Sequence, residues 1–183
     1  MNNCEQMKNM SVLQHGISVH NYYLDLKNHI LHSIPLQNQW KLPEWIYDKK
    51  LWNLITNEDV IKNYHIYHDC GKPFCLSIDS EGKKHFKDHA MWSYKVWKHL
   101  NKSDEEAELM LNDMAIHLLK SKDVENFSNL NNAATLLITG LCELHSNVAM
   151  FGGIESTSFK IKWKNINKFG KRIKHNLIKQ QEK

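Results

Sequence analysis

The chain has 183 residues, 42% hydrophobic and 24% charged, with only 7 Gly and 3 Pro. That composition excludes a collagen-like, low-complexity or wholly disordered chain, and the length suffices to bury a core. The formal charge of +4 is unevenly spread: residues 160–183 carry nine Lys or Arg against Glu182, a local +8, whereas the remaining 159 residues hold 15 basic and 19 acidic side chains, a body of −4.

Arg172 is the sole Arg among 24 basic residues. Together with the abundance of Asn, this fits an AT-rich codon bias, which weakens the basic tail as a pointer to nucleic acid. It also removes the side chain best suited to bidentate phosphate recognition. The four cysteines (Cys4, Cys70, Cys75, Cys142) form no CxxC pair, and Cys70 and Cys142 read as small core residues in a reducing compartment. The N-terminus lacks the regions of a signal peptide, and no apolar run approaches about 18 residues. The expectation is a cytoplasmic protein without membrane contact.

In chain order, apolar residues at helical spacing predict a long helix over 11–33 (Leu13, Ile17, Leu26, Ile30). Pro35 and Pro43 bracket a loop containing Trp40, and a shorter helix is expected over 43–55. Thr56 and Asn57 are cap candidates for a helix from Glu58 to about Asp69, stopped by Gly71-Lys72-Pro73. Residues 74–86 read as an excursion with extended stretches around the turn Asp79-Ser80-Glu81-Gly82. A helix is expected over 88–100, and Ser103-Asp104-Glu105-Glu106 is a capping box opening another to Leu119. Residues 131–150 are apolar on most faces and predict a central buried helix.

The C-terminal segment then changes period. Phe159, Ile161 and Trp163 alternate with Lys160, Lys162 and Lys164, which predicts a strand over 157–164. Ile166, Phe169, Ile173 and Leu177 recur at helical spacing. The sum is a mainly α single domain over residues 1–159, with a minor β element, and a basic segment 160–183 docked by its apolar edge. That segment also offers a weak contact for polyanions, with Trp163 and Phe169 as stacking surfaces among lysines.

Twelve histidines point more sharply than the charge does. His68-Asp69 ends a helix, where an imidazole nitrogen and a carboxylate can reach one metal centre. His15 interrupts a helix patterned for burial, His89 opens the helix after the excursion, and His117 sits between Ile116 and Leu118, where a histidine has no packing advantage over Leu. Four histidines on separate helices, with Asp69, point to one convergent site. His20 lies five residues from His15, about 500° around a helix, so only one of the two faces that site; the His15-Gly16 pair is preferred. His29, His32, His65, His99 and His175 read as surface or structural.

This arrangement resembles the HD-domain metal-dependent phosphohydrolases, and locally the HD domain attached to some bacterial CCA-adding tRNA nucleotidyltransferases. The residues that carry the resemblance are Tyr67-His68-Asp69-Cys70-Gly71-Lys72-Pro73, the turn Asp79-Ser80-Glu81-Gly82, and His85-Phe86-Lys87-Asp88-His89. It covers roughly residues 11–150.

The resemblance implies His15, His68 and Asp69 as metal ligands, with Asp69 bridging if two ions bind. His89 and His117 match histidines that complete a second metal site or contact the substrate phosphate. The family's last ligand is normally an Asp late in the domain; here Glu143 stands at the matching position, reaching about one methylene further, with His145 and Asn147 as fallbacks. The implied cofactor is one or two divalent ions, of Mn, Fe, Co, Ni or Mg.

Such an ion activates water for in-line attack on phosphorus. In that scheme Asp69 orients the water, Lys72 neutralises the substrate phosphate, and His89 or His117 protonates the leaving oxygen. The expected substrate is a phosphomonoester or cyclic phosphodiester of a nucleotide or RNA end. Since fold does not dictate function, the alternative is a catalytically inactive HD-fold module that binds a nucleotide or regulates.

Overall fold

The structure is a computed structural model describing residues 1–7 and 9–182. It is mainly α, as the sequence predicts, with two small two-stranded antiparallel sheets. The chain divides into two compact units: Met1–His20 with Asn57–Met114, and Asn21–Thr56 with Ala115–Lys183.

The first unit opens with strands β1 (Glu5–Met7) and β2 (Met10–Ser11), which the sequence pattern does not disclose. Helix α1 (Val12–His32) follows and contributes its residues up to His20 to this unit. A reciprocal pair starts it: the Ser11 amide donates to the Gln14 side chain at 2.8 Å, and the Gln14 amide to Ser11 Oγ at 3.2 Å. Val12, His15 and Val19 on this stretch are fully buried.

Helix α3 (Glu58–Tyr67), which follows the one-turn α2 (Lys49–Trp52) of the second unit along the chain, is capped by Asn57, whose side chain accepts from the Asp59 amide. Glu58 and Asp59 in its first turn favour the positive end of the helix. One turn of helix, α4 (Lys72–Cys75), leads into the hairpin of β3 (Leu76–Ile78) and β4 (Lys84–Phe86), the excursion expected over 74–86. Asp79 Oδ1 closes its turn by accepting from the amides of Glu81 and Lys83.

Helices α5 (His89–His99) and α6 (Asp104–Asn112) complete the unit, and α6 packs on α5 and α3. Ser103 caps α6 by accepting from the Glu106 amide. Buried Glu106 pins the three helices, accepting from Asn63 Nδ2 at 2.7 Å and Trp97 Nε1 at 2.8 Å. The helix expected from 103 to 119 is interrupted at Asp113–Met114, where α7 (Ala115–Leu118) starts.

Two glycines set close approaches in this unit. A Cβ on Gly16 would overlap the carbonyls of Ile66 and His65, so its absence lets α1 lie on the last turn of α3. A Cβ on Gly71 would overlap the backbone at Ser93, Trp92 and His89, so α5 sits directly against the turn after α3. The Gly71 amide donates to Ser93 Oγ at 2.9 Å.

The second unit is built around α9 (Ala133–Ser146), buried at 12 of its 14 residues, the central helix anticipated from residues 131–150. Around it lie the rest of α1, a 3-10 turn at Glu44–Tyr47, α2, α7, α8 (Val124–Ser128) and α10 (Thr157–Gln181). The helix expected over 43–55 is thus two single turns, 3-10 and then α.

A second correction concerns the strand expected over 157–164, which is the start of α10. Ser156 caps that helix by accepting from the Phe159 amide. The buried residues Phe159, Ile166, Phe169, Ile173 and Leu177 follow helical spacing and face α8 and α9, while Ile161 is 58% exposed. The lysine alternation describes the solvent side of a helix. Lys183, the end of the basic segment, lies outside the described residues. Among the described residues, no helix is long and apolar enough to cross a membrane.

Candidate metal centre

Two segments of the first unit bring together residues that the sequence singles out. His15 comes from α1, held there by the Gly16 contact, and His68 and Asp69 from the end of α3. Their ligand atoms all lie within 4.8 Å of one another, and all three side chains are buried. Such a buried His/Asp group can hold a metal ion. Asp69 Oδ2 is 3.3 Å from His68 Nε2 and 3.8 Å from His15 Nε2.

The backbone sets the tautomer of two imidazoles. His68 Nδ1 lies 2.8 Å from the His65 carbonyl, and His89 Nδ1 lies 3.1 Å from the Phe86 carbonyl. A carbonyl only accepts, so each Nδ1 carries the proton, and in the neutral ring Nε2 is the lone-pair nitrogen. Both Nε2 atoms are turned to Asp69, that of His89 at 3.6 Å from Oδ1. Orientation of a histidine through its other nitrogen is how ligating imidazoles are usually held.

Asp69 Oδ1 is buried and accepts no hydrogen bond among the described residues. Burial pushes the Asp69 pKa up, but the nearby His68, then Lys72 and His15, outweigh it and hold the carboxyl well below the usual carboxylate range. A buried, ionised carboxylate with a bare oxygen, beside the ring nitrogens of His15, His68 and His89, fits a cation ligated by nitrogen and oxygen.

Lys72 is also inside. Its ammonium is 2.5 Å from Asp69 Oδ2 and 2.8 Å from Gln6 Oε1, and the residue is only 7% exposed. Lys72, expected from the resemblance to neutralise a substrate phosphate, is a buried counter-ion of Asp69.

The first unit adds one residue that the sequence reading missed. Asp113, at the end of α6, is buried, accepts from the Tyr64 hydroxyl at 2.5 Å, and places a carboxylate oxygen within 4.8 Å of a His68 ring nitrogen. The available signal was an acid two residues after the apolar stretch Leu109-Met110-Leu111, separated from it by Asn112.

His20 turns away from Asp69 and stands 3.4 Å from the fully buried His65, Nδ1 to Nδ1. His117 and Glu143 belong to the second unit, where His117 Nε2 and Glu143 Oε2 are 2.8 Å apart. His145 is structural: Nδ1 bonds the Leu141 carbonyl, Nε2 accepts the Lys41 amide, and burial pushes its pKa down to about 4. Asn147 caps the end of α9.

Searches of protein-family models, curated proteins and solved structures find no match to this chain.

Proposed function

We propose that this chain is a metal-dependent phosphohydrolase of the HD type. It would cleave a phosphomonoester or cyclic phosphodiester of a nucleotide or RNA end with a metal-activated water. The observation that carries this reading is the convergence of His15, His68 and Asp69, with the Nε2 atoms of His68 and His89 turned to one ionised carboxylate. A divalent ion (Mn, Fe, Co, Ni or Mg) held by His15, His68 and Asp69 would supply Lewis acidity and a water acidic enough to ionise near neutral pH.

The remaining steps fall to the chain's own groups. Asp69 holds its negative charge at working pH and orients the nucleophile through the oxygen not bonded to Lys72. The Lys72 ammonium places one positive charge beside the carboxylate, where it offsets substrate phosphate charge. His89, 17% exposed at the side chain, is the most accessible imidazole around Asp69 and the best placed to protonate a leaving oxygen.

The test is elemental analysis of the purified protein, followed by assays against 2′,3′-cyclic nucleotides, 2′- and 3′-mononucleotides and deoxynucleoside monophosphates. Stoichiometric metal and metal-stimulated phosphate release that disappears in Asp69→Ala are expected. Release that persists in that variant, or no release with any metal, overturns the reading.

One observation favours a second reading, a nucleotide-binding module without turnover. The Lys72 ammonium already supplies a positive charge at Asp69 Oδ2. Protein that stays metal-free yet binds a nucleotide would select it.

A further inference from the structure

A polar concavity lies wholly within the second unit, between α8 and α10. It encloses about 660 Å³, within the range of about 300–1,000 Å³ of sites that take small ligands. Lys171, His175 and Lys179 recur every fourth residue on α10 and so share one side of that helix. Arg172 lines the same groove, against a single carboxylate, Glu125.

Two features separate this groove from an ordinary solvated lysine face. First, its walls are tied by side chains. Asn176 Nδ2 donates to Ser128 Oγ at 3.2 Å, Gln180 Nε2 donates to Asn129 Oδ1 at 2.9 Å, and Arg172 Nη1 donates to the Ser121 carbonyl at 3.1 Å. The last bond fixes the guanidinium and leaves its other N–H groups for a ligand. Secondly, the lysines are uncompensated: among the described residues Lys171 and Lys179 form no ion pair, whereas Lys160 and Lys174 on the same helix pair with Glu155 and Asp48. Lys171 and Arg172 put two like charges side by side at this groove, and a multivalent anion offsets them. The chain's sole Arg stands here, and its planar fork suits phosphate oxygens better than an ammonium does.

We propose that the α8–α10 groove is a binding site for a compact oligophosphate of nucleoside-triphosphate size, separate from the metal centre. The phosphates lie on Lys171, Arg172 and Lys179, with the carboxamides of Asn129 and Gln180 at the edge for a base or sugar.

The test is calorimetric titration of the full chain with sodium triphosphate and with ATP, in EDTA at low salt and again at 0.3 M salt. One equivalent of each is expected to bind, more weakly at high salt as charge screening requires. Affinity should fall at least tenfold in Lys171→Gln/Lys179→Gln and in Arg172→Ala. The double variant replaces exposed side chains and should keep the wild-type melting temperature, which separates lost binding from lost fold. Tighter binding of ATP than of triphosphate would assign the base to the carboxamide edge, and equal binding would assign the site to phosphate alone. Absence of binding at millimolar triphosphate, undiminished affinity in the double variant, or binding of single-stranded RNA but not of triphosphate overturns the proposal.

Discussion

The Lys72 ammonium lies 2.5 Å from Asp69 Oδ2, three residues away along the chain, with both groups buried. Removing one member of a buried ion pair leaves an uncompensated charge, at a cost of about 3–5 kcal/mol. Lys72→Met is therefore expected to lower stability by that order in metal-free protein. A divalent ion at Asp69 replaces the missing charge and should raise the melting temperature of Lys72→Met more than that of the wild type. Thermal denaturation with and without Mn²⁺ or Ni²⁺ measures this, and equal shifts would count against an ion at Asp69.

His89→Gln removes an imidazole that is not among the three closest ligands. Bound metal should stay stoichiometric, while phosphate release falls by about 10²-fold or more, the usual contribution of a general acid. Elemental analysis and initial rates on the same preparation separate the two. Loss of metal would make His89 a ligand instead.

Gly16→Ala should be costly although alanine is the better helix former by about 1 kcal/mol. The added methyl overlaps the Ile66 and His65 carbonyls, and overpacking of this kind costs about 1–3 kcal/mol. Chemical denaturation should show net destabilisation, and metal affinity should drop because His15 moves with its helix. A stabilised variant would mean that α1 does not rest on α3.

Stability should fall in acid in a window set by His145. Burial depresses its pKa from 6.5 to about 4 in the folded state, so below pH 6.5 the unfolded chain takes up a proton that the folded chain refuses. The stabilising difference is complete above about pH 6.5 and is lost as the pH falls towards 4, a change of about 3 kcal/mol. Denaturation midpoints from pH 7 to pH 4 should show a shallower decline in His145→Gln. Asp69, held well below its ordinary value, adds a loss only below about pH 4.

The helical reading of residues 157–164 separates two neighbours. Phe159 is fully buried and Ile161 is 58% exposed. Phe159→Ala should cost about 3–5 kcal/mol, and Ile161→Ala should stay within about 0.5 kcal/mol of wild type. Similar losses at both positions would restore the strand, where residues two apart share a face.

The helices that position the centre were legible because their caps are local. Asn57, Ser103 and the 3.6-residue period before His68 announce α3 and α6. The α10 start was misread because lysine at every second residue imitates strand alternation, and only the burial of Phe159 with Ile166 and Ile173 distinguishes the periods. The approach of His15 to Asp69 depends on contacts across more than fifty residues, which no local pattern encodes. The Gly16 and Gly71 approaches that permit it leave no trace but the glycine itself. Asp113 escaped notice because an acid at a helix end is common, and its burial beside Tyr64 appears only in three dimensions.

The orienting partners of His68 and His89 are main-chain carbonyls, of His65 and Phe86. Every residue type carries that oxygen, so the direction of both imidazoles is insensitive to which side chain occupies position 65 or 86. Sequence drift towards lysine and asparagine, of the sort this chain displays, can rewrite those neighbours and still leave the two rings aimed at Asp69. The aim of the two rings is thereby set by the backbone at positions 65 and 86 and not by the side chains that stand there.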